Sequence, residues 1–355
     1  MKTDDLIKEW QTYSKYPLPG WCNRHTTLFD VAGCEIGSLP NHIDTAVCSI
    51  SFDSTASSRI GARHGPDAIR RASHGFANQF GSRDIGRFRS MQDGELYELK
   101  KSNAADVGDL HVFPTNPIKQ VQATASEIFH LAKTAKRIVT LGGEHMLTYP
   151  IFVGVFAASR ANRENSRLGY VHIDNHFDFG SSSALHGEYY HGSNSRRISE
   201  ISGFDPSAMS FVGVGDFTSA TQYDALLEAG MTIEPMWKIR RVGFAQSLRS
   251  ALNTTMEKCD SLYVSVDIDV CDVATTCGTG HTTVGGITSA EFMSIPSILQ
   301  EYPVVALDIM EVNPTLESSD TAAHLSARFL FEWLMMRKVD TPSGSQREER
   351  KLKHT

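Results

Sequence analysis

Short apolar runs of β-type residues alternate with stretches of helical spacing along most of this sequence, and that alternation restricts the fold to a parallel sheet covered by helices on both faces. The strand-like runs fall at 43–52, 137–141, 169–173, 209–214, 261–270 and 304–309, each bounded by turn residues. Apolar spacing predicts helices over 121–135, 149–158 and 321–336, while the Gly/Arg-rich stretch 60–70 reads as a loop. A chain of 355 residues, 41% of them hydrophobic, can bury the core of one large α/β domain, placed here over 43–338. Ahead of it Pro17, Pro19, Gly20 and Gly33 interrupt any long period, so residues 1–42 read as an N-terminal extension that Trp10 and Trp21 would pack against the domain. The charged, Pro/Gly/Ser-containing stretch 339–355 reads as a disordered tail.

Composition narrows the partners. The formal net charge is −7 and no Lys/Arg stripe interleaves with aromatics, which argues against nucleic acid and for a small molecule. No apolar run approaches the roughly 18–20 residues of a membrane helix, and no basic flank precedes an apolar stretch at the start, so a cytoplasmic location is expected. The six cysteines are scattered without a Cys-x-x-Cys pair and read as reduced thiols.

Ligands of parallel sheets bind at the carboxyl ends of the strands, and four polar clusters follow apolar strands here. Gly142-Gly143-Glu144-His145 closes the first. Asp174-Asn175-His176-Phe177-Asp178 closes the second, and because alternate side chains of an extended segment share a face, its two carboxylates and its imidazole converge. Asp267 and Asp269 sit one residue apart inside an apolar run, where two anions repel and desolvate unless a cation lies between them. Asp308 to Glu311 adds one or two carboxylates to the same rim. The donors sum to His145, Asp174, His176, Asp178, Asp267 and Asp269; four carboxylates are neutralised by two divalent ions, and imidazoles without thiolates favour a first-row ion of hard to intermediate character. Two such ions sharing carboxylates would activate a water between them at neutral pH.

These motifs resemble those of the ureohydrolase family, which contains arginases, agmatinases and related guanidine-compound hydrolases; the agmatinase-like branch fits best. The match spans 43–335 and includes Gly142–His145, Asp174–Asp178 and the Ser-x-Asp-x-Asp-x-x-Asp pattern at 265–272, with lesser marks at 61–66, 106–109, 278–280, 285–288 and 311–314. The resemblance implies a three-layer arginase-type α/β fold, two manganese or nickel ions on the six donors, and a trimer or hexamer. It implies cleavage of a guanidinium C–N bond by a metal-bridging hydroxide, releasing urea and an amine. Asp178 would hold that hydroxide, Glu311 would receive the guanidinium through paired charge-assisted hydrogen bonds, and a loop histidine, His191 in preference to His186, would relay a proton.

The pattern also departs from the family. Asn175 and Phe177 replace smaller residues, Gly180 stands where arginases place an asparagine that grips the amino acid, Val273 replaces a proline, and His281 enters the entrance loop. With Phe177 and Phe179 as an aromatic wall, these changes imply a small or alkylated guanidine, such as guanidine or a biguanide, instead of arginine. Two other readings compete. A non-catalytic homologue serving as a structural subunit beside a homologous chain should have lost ligands, and an amide hydrolase of the same fold should hold one zinc with fewer carboxylates.

Overall fold

The computed structural model of the chain describes residues 18–81, 86–100 and 103–339, together with Thr3 and Ile7. Trp10 and, beyond Val339, the expected tail lie outside the described residues. Twelve strands are described: β1 (Ala32–Gly33), β2 (Thr45–Ser49), β3 (Arg87–Arg89), β4 (Leu96–Leu99), β5 (Ala104–Asp109), β6 (Arg137–Leu141), β7 (Leu168–Ile173), β8 (Met209–Val212), β9 (Thr232–Glu234), β10 (Ser261–Asp267), β11 (Val304–Met310) and β12 (Met336–Lys338). Nine of them form one parallel sheet in the order β1-β5-β2-β6-β11-β10-β7-β8-β9; β12, β4 and β3 make a small antiparallel sheet.

The sheet is buried on both faces because its strands carry apolar residues at odd and even positions alike. On β10, Leu262, Val264 and Val266 join one core with α1 (Gly65–Gly81), α4 (Phe244–Met256) and α5 (Thr321–Met335), whereas Tyr263 joins a second core with α2 (Pro117–Thr134) and α3 (Thr148–Asn162). Helices on both sides of a mostly parallel sheet constitute the three-layer α/β architecture expected from the alternation.

Two expectations are corrected. The stretch 60–70 is a loop only at its start, because α1 begins at Gly65 with Pro66 in its first turn. Its helical pattern is masked by Arg70, which is fully buried and bonds Asp106 at 2.8 Å and Asp109 at 3.4 Å. Those two aspartates also disguise β5, which reads as polar although all six of its residues are buried. The region 1–42, in turn, is not wholly irregular: β1 extends the edge of the sheet beside β5. Around it the Leu28 amide donates to Asp106 at 2.8 Å and Trp21 Nε1 donates to the Ser51 carbonyl at 3.1 Å.

Candidate metal centre and pocket

β6, β11, β10 and β7 are adjacent in the sheet, so the segments leaving their carboxyl ends meet at one place. His145 follows β6, Glu311 follows β11, Asp267 and Asp269 stand at the end of β10, and Asp174, His176 and Asp178 follow β7. Gly142 and Gly143 let the first of these turns form, because a Cβ on either would strike the Met310 side chain or the Phe52 backbone.

His145 Nδ1 lies 3.0 Å from Asp174 Oδ2, 3.1 Å from Asp178 Oδ2 and 3.0 Å from Asp267 Oδ2. His176 Nδ1 lies 3.3 Å from the other oxygen of Asp174 and 3.1 Å from Asp269 Oδ2. Asp174 therefore faces both imidazoles, one oxygen to each. All six predicted donors come together, and His145 Nδ1 and Asp174 Oδ2 are buried without a well-aligned hydrogen-bond partner among the described residues. Burial, then Asp269 and Asp174, push the Asp267 carboxyl well above its ordinary range; burial and Asp174 push Asp269 up to about 6. Burial opposes protonation of His145, but Asp174, Asp178 and Asp267 outweigh it and hold the ring well above the usual imidazole range. Crowded buried carboxylates facing two imidazole nitrogens fit divalent cations, which neutralise the former and, on displacing the ring protons, take the lone pairs of the latter.

A polar row runs across the sheet beneath this cluster. Thr140 on β6 is in register with Asp308 on β11, Asp308 with Ser265 on β10, and Ser265 with His172 on β7; all four are fully buried. Asp308 thus does not reach the rim, where Glu311 alone represents that segment. His172 stacks on His145 with ring centroids 4.8 Å apart, and its Nε2 lies 2.9 Å from Asp174 Oδ2. On the other side Asn194 Nδ2 donates to Asp178 Oδ2 at 2.7 Å. Neither His172 nor Asn194 was anticipated from sequence; an isolated histidine inside the apolar run GYVHI was the available signal for the first.

A pocket of about 310 Å³ opens over the carboxylates, walled by Tyr190, His191, Asp216 and His281, with Glu311 among its lining. The His191 and His281 rings are parallel within 4° at 5.5 Å, and His191 Nε2 meets Ser57 Oγ at 2.7 Å. Burial lowers both imidazoles below their ordinary range. Of the two loop histidines, His191 lines this pocket and His186 does not; the latter sits in a turn closed by the Ser183–Gly187 bridge. Phe177 and Phe179 are not brought to it either. They pack on Phe211 at 5.1 and 6.4 Å and border an adjoining cleft of about 210 Å³ that shares His176, Asp178, Tyr190, Gly192 and Asp216 with the pocket. Imidazoles and Tyr190 take the place of the expected phenyl wall.

Glu311 accepts the His145 amide at 2.8 Å, and burial raises its carboxyl to about 8. Asp178 and Glu311 both have left-handed backbone, with φ of 46° and 62°, an uncommon state for residues with a Cβ that surrounding structure must impose.

Fold and donor set together define a metal-dependent hydrolase of three-layer α/β architecture. Residues 43–336 match the arginase family model, and the chain belongs to that family. A guanidinopropionase from Pseudomonas aeruginosa is 28% identical over 304 residues, covering 84% of this chain and 87% of that one. Among solved structures, the proclavaminate amidino hydrolase from Streptomyces clavuligerus superposes with a TM-score of 0.70 at 24% identity, over 89% of this chain and 98% of that one. A manganese-containing formiminoglutamase variant from Trypanosoma cruzi gives 0.72 at 17% identity, over 88% and 97%. The arginase-type fold and the agmatinase-like ureohydrolase resemblance read from the motifs are both borne out.

Proposed function

We propose that this chain hydrolyses the guanidinium C–N bond of a small guanidine compound other than arginine, yielding urea and an amine, with two divalent ions held by His145, Asp174, His176, Asp178, Asp267 and Asp269. The observation that carries this reading is Asp174, whose two oxygens face His145 and His176 separately and so would be shared by two ions. Ions bound there would bring the pKa of a water toward neutrality and supply the nucleophile. Manganese is the first choice, nickel the second, and a trimer or hexamer belongs to the same reading.

The chain's own residues supply the rest. A planar guanidinium set against Glu311 gains charge-assisted hydrogen bonds and pulls that raised carboxyl back down, which fixes the orientation of its central carbon. Asp178, steadied by Asn194, is placed to accept a proton from the attacking water. His191 carries a proton to the departing amine, with Ser57 holding its Nε2. Among the described residues no lysine or arginine lines the pocket, while Asp216 on the wall suits a neutral or cationic tail. Guanidine, an agmatine-like amine or a biguanide meets that condition.

The test is urea release from arginine, agmatine, guanidinobutyrate, guanidine and dimethylbiguanide by protein reconstituted separately with manganese and with nickel, beside Asp178→Asn. Metal-dependent urea from a compound lacking a carboxylate, abolished in the variant, is the expected result. A preference for arginine sinks the substrate assignment; no urea despite two bound ions points to a subunit that supports a homologous partner.

A further inference from the structure

His145 can serve as a ligand only if Nδ1 carries a lone pair, which requires the ring proton to sit on Nε2. We propose that Asp308, acting through Ser265, is the positioning residue that enforces this tautomer; the inference rests on the metal-site reading above. Asp308 is fully buried on β11, and as a carboxylate it can only accept. Ser265 Oγ donates to its Oδ1 at 2.6 Å, Thr148 Oγ1 donates to its Oδ2 at 2.9 Å, and the Tyr263 hydroxyl donates to the same oxygen. Each of these hydroxyls has one proton, and each proton is spent on Asp308.

Ser265 Oγ is also 2.8 Å from His145 Nε2. With its proton committed, Ser265 has only lone pairs to offer there, so Nε2 must be the donor. Thr148 Oγ1, 3.2 Å from Ser265 Oγ, cannot relieve the constraint because its own proton is committed as well. Nδ1 is then the nitrogen that faces Asp174, Asp178 and Asp267, and the one whose proton a bound ion would displace. The sheet register fixes the arrangement, since Ser265 and Asp308 are paired residues of adjacent strands and cannot separate without unzipping the ladder. An anion buried under an apolar sheet is costly unless it is fully bonded, and three donors meet that cost here.

The experiment compares Asp308→Asn, Ser265→Ala, Ser265→Thr and Tyr263→Phe by manganese affinity under chelator competition, and reads the His145 tautomer in cadmium-loaded protein by ¹⁵N NMR of histidine-labelled samples. Asparagine at 308 presents a donor, frees the Ser265 proton and lets Nε2 become an acceptor. Asp308→Asn and Ser265→Ala should therefore bind manganese ten- to a hundred-fold more weakly, the range typical of groups that orient a ligand. Ser265→Thr should restore affinity. Tyr263→Phe, which removes a donor to Asp308 without touching the Ser265 proton, should stay within about three-fold of wild type, although it disturbs the same buried group. In wild type the ¹⁵N spectrum should show a proton on Nε2. Equal affinity for wild type and Asp308→Asn, or a wild-type His145 lacking that proton, overturns the proposal. Wild type that binds no divalent ion overturns the metal-site reading instead. Should Asp308→Asn fail to fold, the two Ser265 variants and the wild-type spectrum still decide.

Discussion

His145 and His176 offer the same atom to the same shared carboxylate, yet they are built in opposite ways. His145 is buried, stacked on His172 and tied through Ser265 to Asp308. The His176 side chain is 31% exposed, and its Nε2 has, among the described residues, Asn175 at 3.5 Å and the exposed Asp216 at 3.7 Å. The sheet interior sets the first ring, whereas the second stands on the loop that follows β7, with Nδ1 between Asp174 and Asp269. One centre can thus combine a rigid floor with an adaptable rim, the former governing assembly and the latter access.

Removing what the two halves share should have the largest effect. Asp174→Ala is expected to abolish binding of both ions and to lower urea release by about a thousand-fold or more, because several kcal/mol of transition-state stabilisation goes with them. Metal analysis beside kcat checks this, and one retained ion with substantial turnover would mean that the halves are independent.

Next comes the carboxyl between them. Glu311 holds its proton in the native state up to about pH 8, whereas the unfolded chain loses it near 4.5. Its contribution to native stability therefore declines as pH rises between those values. Glu311→Gln, which has no proton to lose, should gain thermal stability relative to wild type as chelator-treated protein is moved from pH 5 to pH 8. A constant difference across that window would place Glu311 in contact with solvent.

The floor and rim should also differ in stability. Tyr263→Phe is expected to cost about 1–3 kcal/mol in denaturant unfolding, as the loss of a buried donor to a carboxylate does. His281→Ala, on the pocket wall, should stay within about 0.5 kcal/mol. Equal losses would erase the distinction. The smallest effect is expected for Asp216→Asn, whose exposed and distant contact with His176 should alter manganese affinity by no more than about three-fold. A ten-fold loss would show that the rim ring is held as firmly as the inner one.

Much of this was legible in the amino-acid order, for identifiable reasons. β2, β6, β7, β8, β10 and β11 are apolar runs with sharp ends, and the six donors stand where three of those runs, β6, β7 and β10, stop. What stayed hidden was polar and buried. Arg70, Asp106 and Asp109 satisfy one another across α1 and β5, so two regular elements look like loops when each residue is read alone. His172 and Asp308 lie within strands, where period alone cannot tell a satisfied polar residue from a turn, and Asn194 and Ser57 reach the site from distant segments. The packing of Phe177 and Phe179 on Phe211, beside the pocket instead of in its lining, depends on a ring from β8 that their own segment does not reveal.

The left-handed backbone at Asp178 and Glu311 has a consequence for the chain's mutational neighbourhood. Glycine adopts that conformation without the steric penalty a Cβ brings, and at either position it would also delete a carboxylate from a crowded buried anionic cluster. Variants selected only for heat resistance should therefore drift toward glycine or asparagine at 178 and 311, becoming sturdier as they fall silent. A hardened descendant of this protein would have to be screened for turnover at every round, since two residues proposed to act on the substrate are also two that folding alone would not choose.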